Sequence, residues 1–414
     1  MFCLTKCLVF CALPGLVLSL DGKAFGQLDR DALKGADAII EGGISKKAFP
    51  GAVLVIGQRE DVVYEKAYGR LTYDANSPAM TSTTLFDLAS VSKVVGTAST
   101  AMALVEDGRL RLDDKVSRYI DGFGVGGKET VSVKDLLTHL SGLKSYDSEK
   151  NAEQMRKPGM STADALIARI ASLPTANEPR TTTVYSCLNM LTQARVNETV
   201  LQGRQDDFLK KRVYGPLGMK DTTYLPTDEQ KKRTAPSVKL PNGTDYIGRV
   251  HDPLAKYYSA DEHCPGNAGV FSTGADLSKF CGMMANKGLY KGEQIYKPST
   301  ILAMTSVQTP AGISNVRGLG WDVYPKAPYS TSLNNEDGKR AIGHTGYTGT
   351  LLWIDENTGT YMVFLTNRTY PNDSSASSKG VSAARADLVK LIFHSLPEYA
   401  KVLSEDDKEA ASAE

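Results

Sequence analysis

Residues 86–93 read Phe-Asp-Leu-Ala-Ser-Val-Ser-Lys, which places Ser90 three positions before Lys93 in a largely apolar stretch. Positions i and i+3 of a helix share a face, so the two side chains are expected to meet. A serine hydroxyl is a poor nucleophile without a base, and a lysine that is partly shielded from water has a lowered pKa and can accept the proton. We therefore predict Ser90 as a nucleophile and Lys93 as its base. The alternative is a helix start with a solvated lysine.

A second candidate motif, Tyr185-Ser186-Cys187, lies at the start of a predicted helix. A phenol aimed at Ser90 could pass a proton to a leaving group, so Tyr185 is a candidate catalytic residue. The alternative is a core tyrosine packed beside the next helix. Cys187 is predicted to line the site, and no base is identifiable beside it that would make it a second nucleophile.

A third motif, residues 343–350, reads Gly-His-Thr-Gly-Tyr-Thr-Gly-Thr and leads directly into a predicted strand. Small residues such as Gly346 on an edge strand let a substrate backbone approach closely. His344 or Thr345 could then hydrogen-bond a substrate. The backbone amide of Tyr347, together with that of Ser90, could bind an oxyanion. The alternative is a glycine-rich turn before a hairpin.

These three motifs, in this order, resemble those of the penicillin-recognising serine hydrolases, which share Ser-x-x-Lys with two further motifs. The resemblance is closest to the branch with class C β-lactamases, DD-carboxypeptidases and related esterases, and covers roughly residues 30–395. It implies Ser90 as the acylated nucleophile, Lys93 and Tyr185 as the proton-handling pair, and the amides of Ser90 and Tyr347 as the oxyanion hole. Four segments look like family blocks: 86–93, 136–143, 269–277 and 318–321.

The order of predicted elements indicates a mixed α/β (α+β) protein of the β-lactamase/transpeptidase-like fold. One β-hairpin lies near the start, a helical block follows, and a second hairpin and a closing helix lie near the end. We expect an antiparallel sheet flanked by N- and C-terminal helices, with an inserted all-helical domain. The predicted units are a signal peptide (1–26), a discontinuous sheet domain (27–75 and 265–403), a mainly helical domain (76–264) and an acidic tail (404–414).

The N-terminus predicts export to the periplasm or the extracellular space. A short basic start precedes the apolar run 7–20, and small residues stand at Ala24 and Gly26. This is typical of a secretory signal, and the alternative is an uncleaved anchor.

The overall composition argues against several kinds of partner and cofactor. The formal net charge is +1, from 48 basic and 47 acidic residues, so neither a nucleic acid nor an anionic membrane is an expected partner. Three cysteines lie outside the predicted signal: Cys187, Cys264 and Cys281. Two of them could form one disulfide, and the sequence does not indicate which two. No Cys/His spacing is typical of a zinc site, so we expect no metal. We also expect no organic cofactor.

Two departures from the family motifs bear on the substrate. Cys187 stands where β-lactamases carry asparagine, and His344 stands where they carry lysine. A thiol is a weak hydrogen-bonding partner, and a neutral imidazole attracts a carboxylate less than an ammonium group does. We therefore predict an exported serine hydrolase that forms an acyl-enzyme on D-alanyl cell-wall peptides or small esters. The alternatives are a penicillin-binding sensor with little turnover and a class C-like β-lactamase.

A further segment, residues 248–255, resembles family members that act on cell-wall peptides, including DD-carboxypeptidases and muropeptide-cleaving amidases. Within it, His251 and Asp252 could contact substrate at the edge of the cleft. The alternative is a pair that anchors its own loop. A metal site is not expected there, because no third ligand lies nearby in the sequence.

Overall fold

A computed structural model of the chain describes residues 28–324 and 341–396, together with two short paired strands, Val17–Leu18 and Ala24–Phe25. Apart from those strands, the predicted signal (1–26) and the acidic tail (404–414) lie outside the described residues. Within the described part of the chain, no helix is both long and apolar enough to cross a membrane.

The centre of the fold is an antiparallel sheet that joins the two ends of the chain. Its six strands among the described residues are β1 (Gly51–Gln58), β2 (Asp61–Gly69), β3 (Asp322–Tyr324), β4 (Ala341–Thr345), β5 (Leu351–Asp355) and β6 (Thr360–Thr366). Their order across the sheet is β3-β4-β5-β6-β1-β2. Strand β6 pairs with β1, so that Thr366 lies opposite Ala52 and both predicted hairpins belong to one sheet.

Strand β1 shows how this sheet separates two apolar cores. Successive side chains of a strand point to opposite faces. Val53 and Val55 join the larger core, and Leu54 and Ile56 join a second core on the other face. The second core is covered by the first and last helices, as the sequence predicted.

Helices cover both faces of the sheet and form the block between its two halves. The helices are α1 (Ala36–Ser45), α2 (Ser99–Glu106), α3 (Val133–Leu137), α4 (Glu149–Glu153), α5 (Thr162–Ser172), α6 (Cys187–Leu201), α7 (Gln205–Leu209), α8 (Asp228–Lys231), α9 (Pro253–Tyr258), α10 (Gly274–Ala285), α11 (Pro298–Thr305) and α12 (Ser375–His394). Helix α10 packs on β1 and β6, while α1 and α12 pack on each other over the opposite face.

Two helix boundaries differ from the sequence expectation. The apolar pattern of residues 91–106 predicts one continuous helix, but the structure has a 3₁₀ turn (Ala89–Val91), a π-helical stretch (Lys93–Ala98) and α2 there. Such π-helical stretches are frequent at functional sites. The amphipathic pattern predicts the closing helix over residues 383–394, but helix α12 begins at Ser375. The Ser374 hydroxyl accepts a hydrogen bond from the Ser377 amide and so caps a first turn that lacks an apolar pattern.

Candidate active site

Ser90 lies in the tight turn between a short strand, Phe86–Asp87, and the π-helical stretch. The buried Asp87 carboxylate holds this turn, because one oxygen accepts from the Ala89 amide (2.9 Å) and the other from the His251 amide (2.7 Å). Ala89 has a positive φ of 47°, a conformation that is costly for a residue with a Cβ. The structure therefore holds the nucleophile candidate on a strained and firmly anchored turn.

Lys93 is completely buried and lies directly beside Ser90. Its Nζ donates to Ser90 Oγ at 2.9 Å and to the main-chain oxygen of Asn267 at 2.7 Å. The spacing in the sequence predicted the first contact. Nothing in the sequence indicated the second, because Asn267 is 174 positions away.

The expectation of a lowered pKa for Lys93 is wrong. Burial alone would lower it, but attraction to the negative charges that Cys187 and Tyr185 carry when ionised outweighs burial, and the pKa of Lys93 lies above its ordinary value. In the resting protein Lys93 is therefore an ammonium group that donates to Ser90, and it must lose a proton before it can act as a base.

Tyr185 lies immediately before the residue that caps α6, with its ring among cations and imidazoles. Lys93 Nζ is 5.0 Å and Arg317 Cζ 5.5 Å from the ring centroid. The ring centroids of His139 and His344 lie at 4.9 and 5.9 Å. Burial raises the pKa of Tyr185 although Lys93 and Ser90 oppose this, so the phenol is protonated at neutral pH.

Sequence reasoning missed two of these neighbours, His139 and Arg317. His139 Nδ1 accepts from the Ser186 amide at 3.1 Å, which leaves Nε2 as the protonated nitrogen. Arg317 forms a buried ion pair with Asp322, both at most 5% exposed. Their only sequence signal was their position inside or beside the segments 136–143 and 318–321.

Threonine hydroxyls fasten the 343–350 segment to the strand before Ser90. Thr348 Oγ1 donates to the Asp87 carbonyl (2.7 Å) and Thr350 Oγ1 to the Leu88 carbonyl (2.8 Å). A Cβ on Gly346 would lie 2.4 Å from the Leu88 carbonyl oxygen, so this close approach requires glycine. These contacts bring the Tyr347 amide to the same end of the molecule as Ser90.

The expectation that this segment lies on an edge strand is correct only in part. Residues 341–343 of β4 pair with β3 on one side and with β5 on the other. His344 and Thr345 extend past the end of β3 and pair only with β5 within the described residues. Among the described residues, the part of β4 without a partner on the β3 side is therefore two residues long, because the register of β3 ends at Asp322.

His344 is buried and neutral, and its Nδ1 lies 2.9 Å from the Thr345 carbonyl. Burial holds the pKa of His344 at about 4. The same residue in an unfolded chain titrates near 6.5. Nδ1 therefore carries the proton at neutral pH, and the site lacks the positive charge that a lysine would supply at this position.

This shift predicts acid sensitivity. Between about pH 6.5 and pH 4 the unfolded chain binds the His344 proton and the folded chain does not, so stability falls as the pH falls, by up to about 3 kcal/mol. Urea unfolding measured from pH 7 to pH 4 checks this. His344→Gln, which has no imidazole to protonate, should show a flatter dependence on pH, and equal slopes for both proteins would contradict the prediction.

The structure separates the roles of His251 and Asp252. The His251 ring stacks on the Tyr347 ring at 5.9 Å, at the edge of the site. Asp252 caps α9 by accepting from the Ala255 amide, and it also accepts from the side chain of Asn267. Asp252 thus anchors its loop and supports the residue whose carbonyl holds Lys93.

The remaining thiols form no disulfide among the described residues. Cys187 is partly exposed, and Cys264 and Cys281 are buried. Cys187 begins α6 and lies close enough to Lys93 to affect the pKa of that lysine. Its role in lining the site stays a prediction.

Comparisons with known proteins find relatives that match most of the chain. An N-acetylmuramyl-L-alanine amidase of Bacillus subtilis strain 168 is 29% identical over 368 residues, covering 83% of this chain and 82% of that protein. A provisionally named D-alanyl-D-alanine carboxypeptidase of Escherichia coli K12 is 27% identical over 346 residues, covering 77% of this chain and 79% of its own length.

Solved structures share the fold at lower identity. One is EstCE1, a hydrolase with promiscuous acyltransferase activity, at a TM-score of 0.68, 21% identity and coverage of 87% of this chain and 99% of that chain. Another is a class C beta-lactamase, at a TM-score of 0.66, 20% identity and coverage of 86% and 95%. The model of the beta-lactamase family matches residues 36–386. The chain therefore belongs to the beta-lactamase family of serine hydrolases.

Proposed function

We propose that this protein is an exported hydrolase that forms an acyl-enzyme on Ser90 and acts on D-alanyl cell-wall peptides. The observation that carries the proposal is the buried Lys93 amine, which bridges Ser90 Oγ and the Asn267 carbonyl. Burying a charged group costs free energy, so a buried lysine that contacts a serine points to a chemical role rather than to a contribution to stability.

The proposed reaction has two stages. Once the Lys93–Tyr185 pair has lost a proton to solvent, it accepts the hydroxyl proton of Ser90, and the oxygen attacks the substrate carbonyl. The amides of Ser90 and Tyr347 stabilise the oxyanion. Tyr185 then protonates the departing D-alanine, and water hydrolyses the ester that remains on Ser90.

Three observations favour a cell-wall peptide over a β-lactam. Neutral His344 and the thiol of Cys187 are weaker partners for a β-lactam than lysine and asparagine. The two sequence relatives named above, which are more similar to this chain than the class C beta-lactamase structure is, are an amidase and a carboxypeptidase.

A second candidate function, a penicillin-binding sensor with little turnover, is favoured by one observation, the protonated Lys93 that donates to the nucleophile.

Two measurements test this proposal. The first is the intact mass of the protein after exposure to a penicillin, with Ser90→Ala as the control. The second is the turnover of an N-acylated D-alanyl-D-alanine peptide. We expect a penicillin adduct in the unaltered protein only, together with peptide turnover. An adduct without turnover would support the sensor, and consumed antibiotic without an adduct would support a β-lactamase. Hydrolysis that survives Ser90→Ala would contradict the proposed nucleophile.

A further inference from the structure

A cavity of about 370 Å³ lies between α8 and α9, with further walls from the segments 224–226, 246–250 and 265–271. Its volume falls in the range of pockets that bind small ligands, about 300–1,000 Å³. None of the candidate catalytic residues lines it, so the roles assigned above leave this space unused.

Three cations line this cavity, and each comes from a different part of the chain. They are Lys231 at the end of α8, Arg249 in the segment before α9, and Lys256 within α9. No aspartate or glutamate is among the described residues of the lining. His263 also lines the cavity, but its Nδ1 already lies 3.1 Å from the buried carboxylate of Glu198, which does not line it.

Two of these cations have no anionic partner. Arg249 and Lys256 are exposed and form no ion pair with any residue that the structure describes. Lys231 pairs with Asp228 at 2.9 Å, but the side chain of Asp228 is 95% exposed, and such surface pairs contribute little. The whole chain has a formal net charge of only +1, so this positive charge is local and not the result of a basic composition. A cleft lined by charge of one sign attracts ligands of the opposite sign.

Packing holds two of the three cations in place. Gly248 has a φ of 61°, and a Cβ there would lie 2.4 Å from Lys231 Cγ, so the glycine lets the lysine side chain lie directly across the backbone. Lys256 Nζ lies 5.3 Å from the centroid of the Tyr246 ring, which also lines the cavity. Charges that are positioned before a ligand arrives bind it with a smaller loss of side-chain entropy.

Much of the remaining lining is apolar. Aromatic rings and prolines contribute to it, and Leu225, which is 47% exposed, presents a large apolar side chain. A ligand that fills the cavity therefore combines an anion with an apolar group. A phosphate monoester suits three cations better than a carboxylate does, because it carries a charge of about −1.5 to −2 at pH 7 and three acceptor oxygens.

We propose that this cavity binds a small phosphate monoester that carries an apolar group. Lys231, Arg249 and Lys256 bind the phosphate, and the apolar group packs against the aromatic and aliphatic walls. This site is separate from the proposed hydrolysis, and neither proposal depends on the other.

Calorimetry of the unaltered protein with phenyl phosphate tests the site. We expect phenyl phosphate to bind about tenfold more tightly than benzoate, because it carries more negative charge and one more acceptor oxygen. It should also bind about tenfold more tightly than inorganic phosphate, which has no apolar group to bury. Both affinities should fall in high salt. Equal binding of phenyl phosphate and benzoate, or no binding of phenyl phosphate, would overturn the proposal.

A phosphate monoester can be a soluble molecule or the headgroup of a lipid. Sedimentation with phosphatidylcholine vesicles that contain phosphatidic acid distinguishes these two sources. We expect the protein to stay in solution, because its formal net charge is only +1, and this result supports a soluble ligand. Sedimentation that Arg249→Gln abolishes would support the same phosphate site with a lipid as its ligand.

Variants of the cations place the binding in this cavity. Arg249→Gln and Lys256→Gln should each weaken the binding of phenyl phosphate by about tenfold, the effect of losing one hydrogen bond to a charged group. Both residues are exposed, so neither change should prevent folding. The matched control is Lys291→Gln, because Lys291 also lies over a tyrosine ring, at 5.6 Å, but does not line the cavity. This control should keep the affinity, and unchanged binding by both cavity variants would show that the phosphate does not bind here.

Discussion

Lys93→Met is expected to slow acylation of Ser90 by about 10³-fold, the middle of the range for a residue that transfers a proton in the transition state. Methionine fills most of the lysine volume, but it can neither accept the proton of Ser90 nor donate to the Asn267 carbonyl. The measurement is the rate of adduct formation with a penicillin or an activated ester in a single turnover, followed by intact mass.

Two controls distinguish catalysis from folding. Lys128 is also fully buried, and its Nζ donates to the carbonyls of Val125 and Leu173, away from the site. Lys128→Met should therefore lower stability without slowing acylation of the folded protein. Lys93→Arg keeps the charge but cannot lose it, so it should be as inactive as Lys93→Met if the lysine must act as a base.

The direction of the Lys93 pKa shift also predicts how the rate of Ser90 acylation depends on pH. Because that pKa lies above its ordinary value, the neutral amine is scarce at pH 7 and increases about tenfold with each pH unit. The acylation rate of the unaltered protein should rise accordingly between pH 7 and pH 9. Full activity of Lys93→Arg, or a flat pH profile, would contradict the role assigned to Lys93.

Gly266→Ala is expected to destabilise the protein by about 3 kcal/mol and to impair acylation of the fraction that remains folded. A Cβ at this position would lie 1.8 Å from the carbonyl oxygen of Met190 in α6, so either the helix or the loop must move. The loop continues into Asn267, whose carbonyl holds Lys93, and a shift of the loop would draw that acceptor away from the amine.

The measurement is urea unfolding of Gly266→Ala beside Gly203→Ala. Apart from Gly203 itself and its two chain neighbours, no residue has an atom within 4 Å of the position that a Cβ on Gly203 would occupy. This control should therefore change stability by less than about 0.5 kcal/mol. If both variants unfold at the same urea concentration, the close packing of this loop against α6 does not limit stability.

Local patterns predicted several features that the structure contains. The alternating and apolar runs around residues 51–68 and 350–366 form two hairpins, because strand formation and tight turns depend on neighbouring residues. The three-residue spacing of Ser90 and Lys93 was enough to predict their contact, since a single helical turn sets it. The start of α12 at Ser375 was missed, because the first turns of this helix have no apolar pattern and depend on the cap that Ser374 provides.

The sequence by itself determined which residues could carry the chemistry and which of them are neighbours along the chain. Only the tertiary structure decided the arrangement of Asn267 beneath Lys93, the anchoring of Asp87 by the His251 amide, and the attachment of the 343–350 segment through Thr348 and Thr350. The tertiary structure also decided the protonation state of Lys93, for which the sequence had predicted a lowered pKa. The physical reason is that burial and the charge of every neighbour in space set a pKa, and those neighbours come from distant parts of the chain.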